Sequence, residues 1–356
     1  MNKEIKIVGH PCGSGKTTKM IENFKEDRKY LVILPLLSEV TRVIEGSKDI
    51  EFVQPNENDN KHVTKTSSLE SQLLLGSNIA TTHEMYERLV PMVKAGLLDD
   101  YDIIIGEVPN VVKSITSKSR TSIQEFYVDA GYMDVDVGTG LVRPTHKWRQ
   151  NQDQVSETLS PKILKYAETG CLYLQDGEMF IWDLPQCILP AGRSVAVMTS
   201  TAEGSMLLSY LRKLGLRFEV SNDNHPKPGI FAKNSRLKDA NWIANTTRGT
   251  NDYIHCSHFI YLYNQSINHV VARWLGNSSR AFNDAYALTK LIQWVWRFKV
   301  RRGEPIILYL PSPRMRRLFE KWLYGGGVIG HSSNHCFERS EVDVNRSTQK
   351  LLFTSM

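Results

Sequence analysis

The chain has few cysteines and no long apolar run, and both absences restrict what it can be. Its five cysteines are odd in number, widely spaced among 356 residues and without a C-x-x-C pair. They indicate reduced thiols rather than a disulfide framework or a zinc ribbon. No apolar stretch approaches the ~20 residues of a membrane-spanning helix, and the amino-terminal residues lack the apolar core of a signal peptide. We therefore expect a soluble protein in the cytoplasm, or in the host cytoplasm if the chain is viral.

Positive charge is concentrated in one part of the chain. The net formal charge is +6, but residues 290–322 alone contain nine basic and two acidic residues, a net +7 that leaves the remainder at −1. Such a concentration favours a partner that carries phosphate groups. A solvated basic helix face would give the same composition, so charge alone leaves both interpretations open.

Short apolar runs alternate with helix-like stretches along the first two hundred residues, which is typical of a parallel sheet covered by helices. The patterns predict strands at 5–8, 31–35, 79–81, 101–105 and 194–198 and helices at 16–26 and 206–214. Polar residues dominate from about 114, and an Asp176-Gly177 step between two apolar runs predicts a hairpin at 172–182. We therefore predict an amino-terminal α/β domain over 1–220 with an insertion at about 114–190.

A second α/β unit follows a stretch rich in Asn, Pro, Lys and Asp. That stretch, residues 221–250, suits an exposed linker. Beyond it the patterns predict strands at 258–263 and 305–310 and helices at 285–300 and 314–322. The predicted carboxyl-terminal domain spans 251–356.

A glycine-rich segment directly after the first strand predicts a phosphate-binding loop. Residues 10–18 read His-Pro-Cys-Gly-Ser-Gly-Lys-Thr-Thr, so the first glycine of the common pattern is replaced by histidine. Backbone N–H groups of such a loop, at the start of a helix, cradle polyphosphate. Lys16 would reach the terminal phosphates and the Thr17 hydroxyl would ligate Mg²⁺. The predicted nucleotide-binding set is Gly13, Ser14, Gly15, Lys16, Thr17 and Thr18.

A second motif follows the strand predicted at 101–105. In ATP-hydrolysing motors this position holds two acids, of which the first positions magnesium through water and the second polarises the attacking water. Glu107 fits the second role, but Gly106 stands at the first and has no side chain. Asp102 lies roughly 13 Å back along the strand, too far to replace it. Three explanations stay open: magnesium held by Thr17, phosphates and water alone, a weakened site, or an altered position in this chain.

Three polar residues near the basic region share one spacing. Gln293, Arg297 and Arg301 fall at successive i+4 positions, so on a continuous helix they would share one face and could meet a triphosphate. An amphipathic helix with solvated arginines is the alternative.

Several of these motifs resemble those of superfamily 2 helicases. The phosphate loop resembles their Ala-Pro-Thr-Gly-Ser-Gly-Lys-Thr form, and the Gln293 segment resembles their Gln-x-x-Gly-Arg-x-x-Arg element, with Trp296 replacing the glycine and the last arginine one residue late. Thr199-Ser200-Thr201 resembles their Ser-Ala-Thr element. The segment at Pro35 and the pair Thr82-His83 resemble elements that grip nucleic-acid phosphates. In this order the chain resembles a compact, phage-type superfamily 2 (DEAD/DEAH-like) helicase.

The resemblance implies two tandem RecA-like domains that share one ATP and one Mg²⁺. The partner would be single-stranded or duplex nucleic acid, with DNA favoured, and replication or recombination proteins would be candidate partners. The resemblance implies catalytic roles for Glu107, Gln293, Arg297 and Arg301. It also implies that nucleic acid is contacted by Pro35, Thr82, His83, Arg314 and Arg316. Coupling of hydrolysis to the movement of the lobes is implied for Thr199 and Thr201.

Two other functions stay open on the sequence. A nucleotide-gated nucleic-acid-binding protein with little hydrolysis would follow from the glycine at position 106. A nucleoside or small-molecule kinase would explain the phosphate loop but neither the second domain nor the basic segment.

Overall fold

Seven parallel strands form the main sheet of this computed structural model, which describes residues 4–9, 15–57, 64–115, 123–151, 161–177, 179–199, 202, 204–222, 243 and 252–324. The strands are β1 (Ile5–Gly9), β2 (Lys29–Leu34), β3 (Phe52–Val53), β4 (Asn78–Thr82), β5 (Tyr101–Gly106), β11 (Ser194–Thr199) and β12 (Phe218–Asn222). Their spatial order is β12-β1-β11-β5-β2-β4-β3, and every neighbouring pair is parallel. The strands predicted over the first two hundred residues are confirmed, whereas β3 and β12 were not predicted.

Helices cover both faces of this sheet, so its central strands are apolar on both sides. They are α1 (Lys16–Glu22), α2 (Leu37–Gly46), α3 (Lys65–Leu74), α4 (His83–Tyr86), α5 (Val90–Lys94) and α8 (Met206–Lys213). One core contains Ile7, Ile103 and Ile105, and the other contains Val32 and Leu34. The predicted fold class, α/β with parallel strands flanked by helices, is confirmed.

Helix α1 is shorter than the prediction of 16–26. It ends at Glu22, and the Asn23 N–H donates to the Met20 carbonyl in a closing turn. The Phe24 ring then packs against Tyr30 and Phe52, with ring centroids 4.7 and 4.9 Å apart. Aromatic packing therefore ends the helix before its apolar periodicity does.

The predicted insertion has a sheet of its own. Strands β6 (Val112–Ile115), β9 (Leu172–Gln175) and β10 (Met179–Asp183) are antiparallel in the order β6-β10-β9. The hairpin between β9 and β10 turns at Asp176 and Gly177, which both have positive φ (54° and 72°), as an Asp-Gly turn requires. The other elements are a π-helical turn (Gln124–Asp129), the paired strands β7 (Met133–Val135) and β8 (Val142–Pro144), α6 (His146–Gln150) and α7 (Pro161–Glu168).

The carboxyl-terminal part forms a smaller α/β unit. Strands β13 (His258–Ile260) and β14 (Ile307–Tyr309) are parallel, and the helices are α9 (His269–Trp274), α10 (Arg280–Val295) and α11 (Pro313–Tyr324). This unit has its own core around Leu291 and Phe319. Helix α9, however, buries Val270 and Val271 in the core of the first unit. Most of the predicted linker lies outside the described residues, so the predicted domain boundaries stay a prediction.

The helix predicted over 285–300 ends earlier than expected. Helix α10 ends at Val295, and Lys299–Arg302 forms a separate 3-10 turn. Trp294, Trp296 and Phe298 are all buried, and Phe298 stacks on Phe259 with 3.5 Å between ring centroids. These three aromatic residues are two positions apart, and side chains at that spacing share one face of an extended chain but not of a helix. Because all three rings are buried, the helix is interrupted here. The predicted single helical face for Gln293, Arg297 and Arg301 was therefore wrong.

None of the helices within the described ranges is both long and apolar enough to span a bilayer.

Candidate nucleotide site between the two α/β units

The polar residues predicted from the sequence follow strands that end at one edge of the main sheet. Gly9 of β1 lies beside Thr199 of β11, and Met198 lies beside Gly106 of β5. On the other side, β2 and β4 end in register at Leu34 and Thr82. Because ligands of open parallel sheets bind beyond the carboxyl ends of the strands, this edge is where a site is expected. The structure thus brings Pro35, Thr82, His83, Glu107 and Thr199 to one edge.

Lys16 forms the first contact across this edge. Gly15, with φ 76°, turns the chain into α1, whose first residue is Lys16. The Lys16 Nζ lies 3.9 Å from Oε1 of Glu107, and the two side chains are 14% and 34% exposed. Thr17 follows on the same helical turn, while the Thr18 hydroxyl accepts a 2.8 Å hydrogen bond from Nη2 of Arg42. Gly13 and Ser14 lie outside the described residues, so their contact with nucleotide stays a prediction.

Glu107 has an unusual backbone that its neighbours hold in place. Its φ is 63°, a left-handed conformation that costs a non-glycine residue about 1–2 kcal/mol. Its N–H donates to the Met198 carbonyl at 2.6 Å. The ring Nε2 of His83 is 2.9 Å from the Gly106 carbonyl, and since a carbonyl only accepts, Nε2 carries the hydrogen. Backbone strain of this kind is concentrated at functional sites, where the surroundings enforce it.

The space beside Gly106 is filled by a neighbouring side chain. A Cβ built on Gly106 would lie 2.7 Å from Cδ2 of Leu34, which is 2% exposed. Asp102 is the second residue of the same strand, near its opposite end, where Arg193 and Ser194 donate hydrogen bonds to its carboxylate. Burial disfavours that carboxylate, but these bonds and the nearby positive charge outweigh burial and lower its pKa. Neither position therefore supplies a second acid at the site.

Residues from both units line a single cleft. From the first unit it is lined by Pro35, Glu39 and Glu107, and from the second by Gln293, Arg297 and Arg301. All three residues of the predicted Gln/Arg set thus reach the cleft although α10 ends at Val295. Arg297 is 9% exposed, so its guanidinium is largely removed from solvent.

The two units touch closely at Gly204, just before α8. A Cβ on Gly204 would lie 2.4 Å from both the carbonyl carbon and oxygen of Ala285 in α10. Gly204 also has φ 75°, which favours glycine independently. Helix α10 therefore rests directly on the backbone of the first unit at the edge of the cleft.

Both positive and negative side chains lie in and around the cleft. Of the residues there that the structure describes, the basic ones are Lys16, Lys290, Arg297 and Arg301, and the acidic ones are Glu39 and Glu107. Burial raises the pKa of the Glu39 carboxyl and the charge of Glu107 raises it further, while Arg301, Arg42 and Lys16 lower it. Excess positive charge in a partly desolvated cleft suits a polyphosphate. Within the described ranges, no three His, Cys, Asp or Glu residues are grouped to hold a metal ion.

Glu39 and Lys290 were not predicted from the sequence. Glu39 stands four residues beyond Pro35, in a stretch that the apolar periodicity assigns to a helix. Its position just after a strand that ends at the site was the available signal, because helices that begin there carry their first turn to the same edge.

Arg314, Arg316 and Thr199 are not among the residues that line the cleft. Arg314 donates to Asp284 at 2.8 Å and to the carbonyls of Gln265 and Asn283. Both Nε and Nη2 of Arg316 donate to the Leu310 carbonyl, at 3.2 and 3.1 Å. These bonds tie α11 to α10 and to neighbouring loops, and the predicted contacts of both arginines with nucleic acid stay predictions. Thr199 is fully buried, and Thr201 lies outside the described residues.

Known proteins similar to this chain include a prophage protein and two proteins of solved structure. Residues 217–323 match the family described as the YonV C-terminal Rossmann-like domain. The SPbeta prophage-derived uncharacterized protein YonV of Bacillus subtilis (strain 168) is 22% identical over 409 residues, covering 90% of this chain and 99% of that protein. An apo XPD structure has a TM-score of 0.36 and 13% identity over 64% of this chain and 57% of that one. The S. tokodaii Xpd4 structure has a TM-score of 0.35 and 14% identity over 64% and 58% of the two chains.

Proposed function

We propose that the chain is an ATP-dependent nucleic-acid helicase or translocase that binds and hydrolyses ATP with Mg²⁺ in the cleft between its two α/β units. One observation carries the proposal. The lysine of the phosphate loop and Glu107 belong to one unit, whereas Gln293, Arg297 and Arg301 of the other unit line the same cleft as Glu107. A nucleotide in that cleft would contact both units at once.

Each of these side chains would have a distinct role in the transfer of a phosphoryl group to water. Lys16 would neutralise the terminal phosphates, and Glu107 would orient and polarise the attacking water. Arg297 and Arg301 would stabilise charge that develops on the transferred phosphoryl group. Thr17 supplies an oxygen ligand of the kind that Mg²⁺ prefers, and the bound ion would neutralise phosphate charge.

A cleft between two units also offers a way to couple ATP to movement. Nucleotide that contacts both units favours a closed arrangement, and hydrolysis removes the contacts that favour it. The strand-end elements at Pro35 and Thr82-His83 would grip nucleic-acid phosphates, with DNA favoured, as the arginines of α11 would do on the second unit. Similarity to a prophage protein supports a phage role, with replication or recombination proteins as candidate partners.

The test is ATP turnover by the full chain with and without single-stranded DNA or RNA. We expect nucleic acid to stimulate hydrolysis and Lys16→Ala to abolish it. Lys19→Ala is the matched control, because Lys19 is exposed on the same helix and should leave the rate unchanged. The Glu107→Gln variant should still bind ATP but no longer hydrolyse it, because the group that polarises the attacking water is lost. The absence of turnover with every nucleic acid tested would exclude the motor.

The packing of Leu34 against Gly106 favours one alternative, a nucleotide-gated nucleic-acid-binding protein that hydrolyses ATP poorly. Such a protein would bind ATP tightly and bind a strand only with ATP present. The same measurements distinguish the two, because ATP-dependent strand binding would then persist with negligible turnover.

A further inference from the structure

We propose that Glu39 supplies the second carboxylate of the nucleotide cleft and serves the Mg²⁺ that accompanies the triphosphate. The inference rests on the function proposed above. A residue in the first turn of α2 would thus supply the magnesium-positioning carboxylate that Gly106, at the end of β5, cannot supply.

The chain path carries Glu39 to the cleft. Strand β2 ends at Leu34, α2 begins at Leu37, and Glu39 lies in the first helical turn with its N–H bonded to the Leu36 carbonyl. Its side chain is partly buried and lines the cleft together with Pro35 and Glu107. Two carboxylates from neighbouring strand ends therefore face one cavity.

Among the residues that the structure describes, no other acid is available for this part. The space beside Gly106 is occupied by Leu34, and Asp102 is held at the opposite edge of the sheet by Arg193 and Ser194. Within the described part of the chain, Glu39 and Glu107 are the acidic residues that line the cleft. Of these, Glu107 already faces Lys16.

The carboxylate of Glu39 makes neither a hydrogen bond nor an ion pair with any residue of the described ranges. The Glu39 carboxylate is repelled by the charge of Glu107 and attracted by the charges of Arg301, Arg42 and Lys16. Burial without a bonded partner is costly for a carboxylate. A divalent cation beside Glu39 and Glu107 would remove the repulsion and leave the basic groups to the phosphates.

The test is the Mg²⁺ dependence of ATP binding by the full chain, followed with a fluorescent ATP analogue across Mg²⁺ concentrations and in EDTA. We expect Glu39→Gln to raise the Mg²⁺ concentration for half-maximal binding by about 10-fold or more, the usual effect of losing a group that supports a metal. Binding in EDTA should be unchanged or tighter, because one negative charge near the phosphates is lost. Glu45→Gln, on an exposed face of the same helix, should match wild type.

The outcomes separate this inference from the proposed function. Wild-type Mg²⁺ dependence in Glu39→Gln would overturn the inference while leaving ATP binding intact. Failure of the wild-type chain to bind ATP, or undiminished binding by Lys16→Ala, would overturn the proposed function itself. If Glu39→Gln fails to fold, Glu39→Asp keeps a shorter carboxylate and should give an intermediate shift, and a wild-type Mg²⁺ dependence for Glu39→Asp would count against the inference.

Discussion

Among single residues, Leu34 and Gly106 restrict each other's side-chain size across neighbouring strands. Ile33 and Ile105 are paired in register, so the next residues, Leu34 and Gly106, lie side by side where the strands end. The leucine fills the volume that a side chain at 106 would need. An aspartate introduced at 106 would first have to displace a buried leucine, so Gly106→Asp alone is a poor test of whether the missing acid limits hydrolysis.

Gly106→Ala is expected to lower the free energy of unfolding by about 1–3 kcal/mol, because an added methyl group overpacks a filled site. Leu34→Ala alone should cost about 2–4 kcal/mol through the cavity that it leaves. The double variant should be more stable than the sum of the two effects implies, since each change relieves the other. Urea unfolding measures all three, with Gly138→Ala as an exposed control whose Cβ meets only an ordinary contact at 3.6 Å. Strict additivity would show that the two positions do not compete for space.

Among helices and strands, three elements of different origin meet at Asp183. It ends β10 and is 4% exposed, near Lys213 at the end of α8. The Lys213 Nζ lies 3.5 Å from the ring centroid of Trp274 in α9, and Arg273 of α9 binds Asp176 at 2.7 Å. The insertion, the first unit and α9 are thus joined around one buried carboxyl group.

The Asp183 site makes stability depend on pH in a defined direction. Burial raises its pKa to about 6, against a partial offset from the Lys213 charge. The folded state then binds the Asp183 proton more tightly than the unfolded state does. The stability that this proton contributes is therefore lost as pH rises from about 4 to about 6, and above pH 6 the stability no longer changes through Asp183. Asp183→Asn should match wild type near pH 4 and exceed it by up to about 3 kcal/mol above pH 6. Denaturant unfolding across this range measures the difference, and a difference independent of pH would contradict the assignment.

The elements show what local sequence patterns can and cannot predict. Strand ends were predictable because apolar runs followed by Gly, Thr or Pro are local signals, and parallel topology then brings those ends to one edge. The convergence of Gln293, Arg297 and Arg301 was predicted for a helical face that does not exist, since α10 ends at Val295. Their common cleft depends on how the aromatic residues between them pack, which is a tertiary effect that periodicity does not record.

For the molecule as a whole, the sequence predicted two α/β units but not how they are joined. Helix α9 follows the predicted linker in the chain, yet it buries Val270 and Val271 in the core of the first unit. Contacts between residues far apart in sequence leave no local signature. For the same reason Glu39 was interpreted only as part of a helix, and Gly204 was not singled out although it makes a close contact between the units.

Gly204 offers the last test, because it decides how closely α10 can approach the first unit. Gly204→Ala would place a methyl carbon 2.4 Å from the backbone of Ala285, so we expect the variant to separate α10 from the first unit and withdraw Arg297 from the cleft. Overpacking of this kind costs about 1–3 kcal/mol. If ATP binds only when the two units are in contact, that cost corresponds to roughly 5- to 150-fold weaker ATP affinity. Fluorescent-ATP titration measures this affinity.

Gly215→Ala is the matched control for this change. Gly215 has a similar positive φ of 65° just beyond α8 but has no atom within 4 Å of a built Cβ, so it reproduces the backbone strain without the clash. Combining Gly204→Ala with Arg297→Ala should weaken binding little more than either change alone, because both remove the same contact between the second unit and the nucleotide. Equal effects of Gly204→Ala and Gly215→Ala would mean that strain, and not the approach of the two units, governs the cleft. Full additivity with Arg297→Ala would mean that the arginine reaches ATP independently of the Gly204 contact.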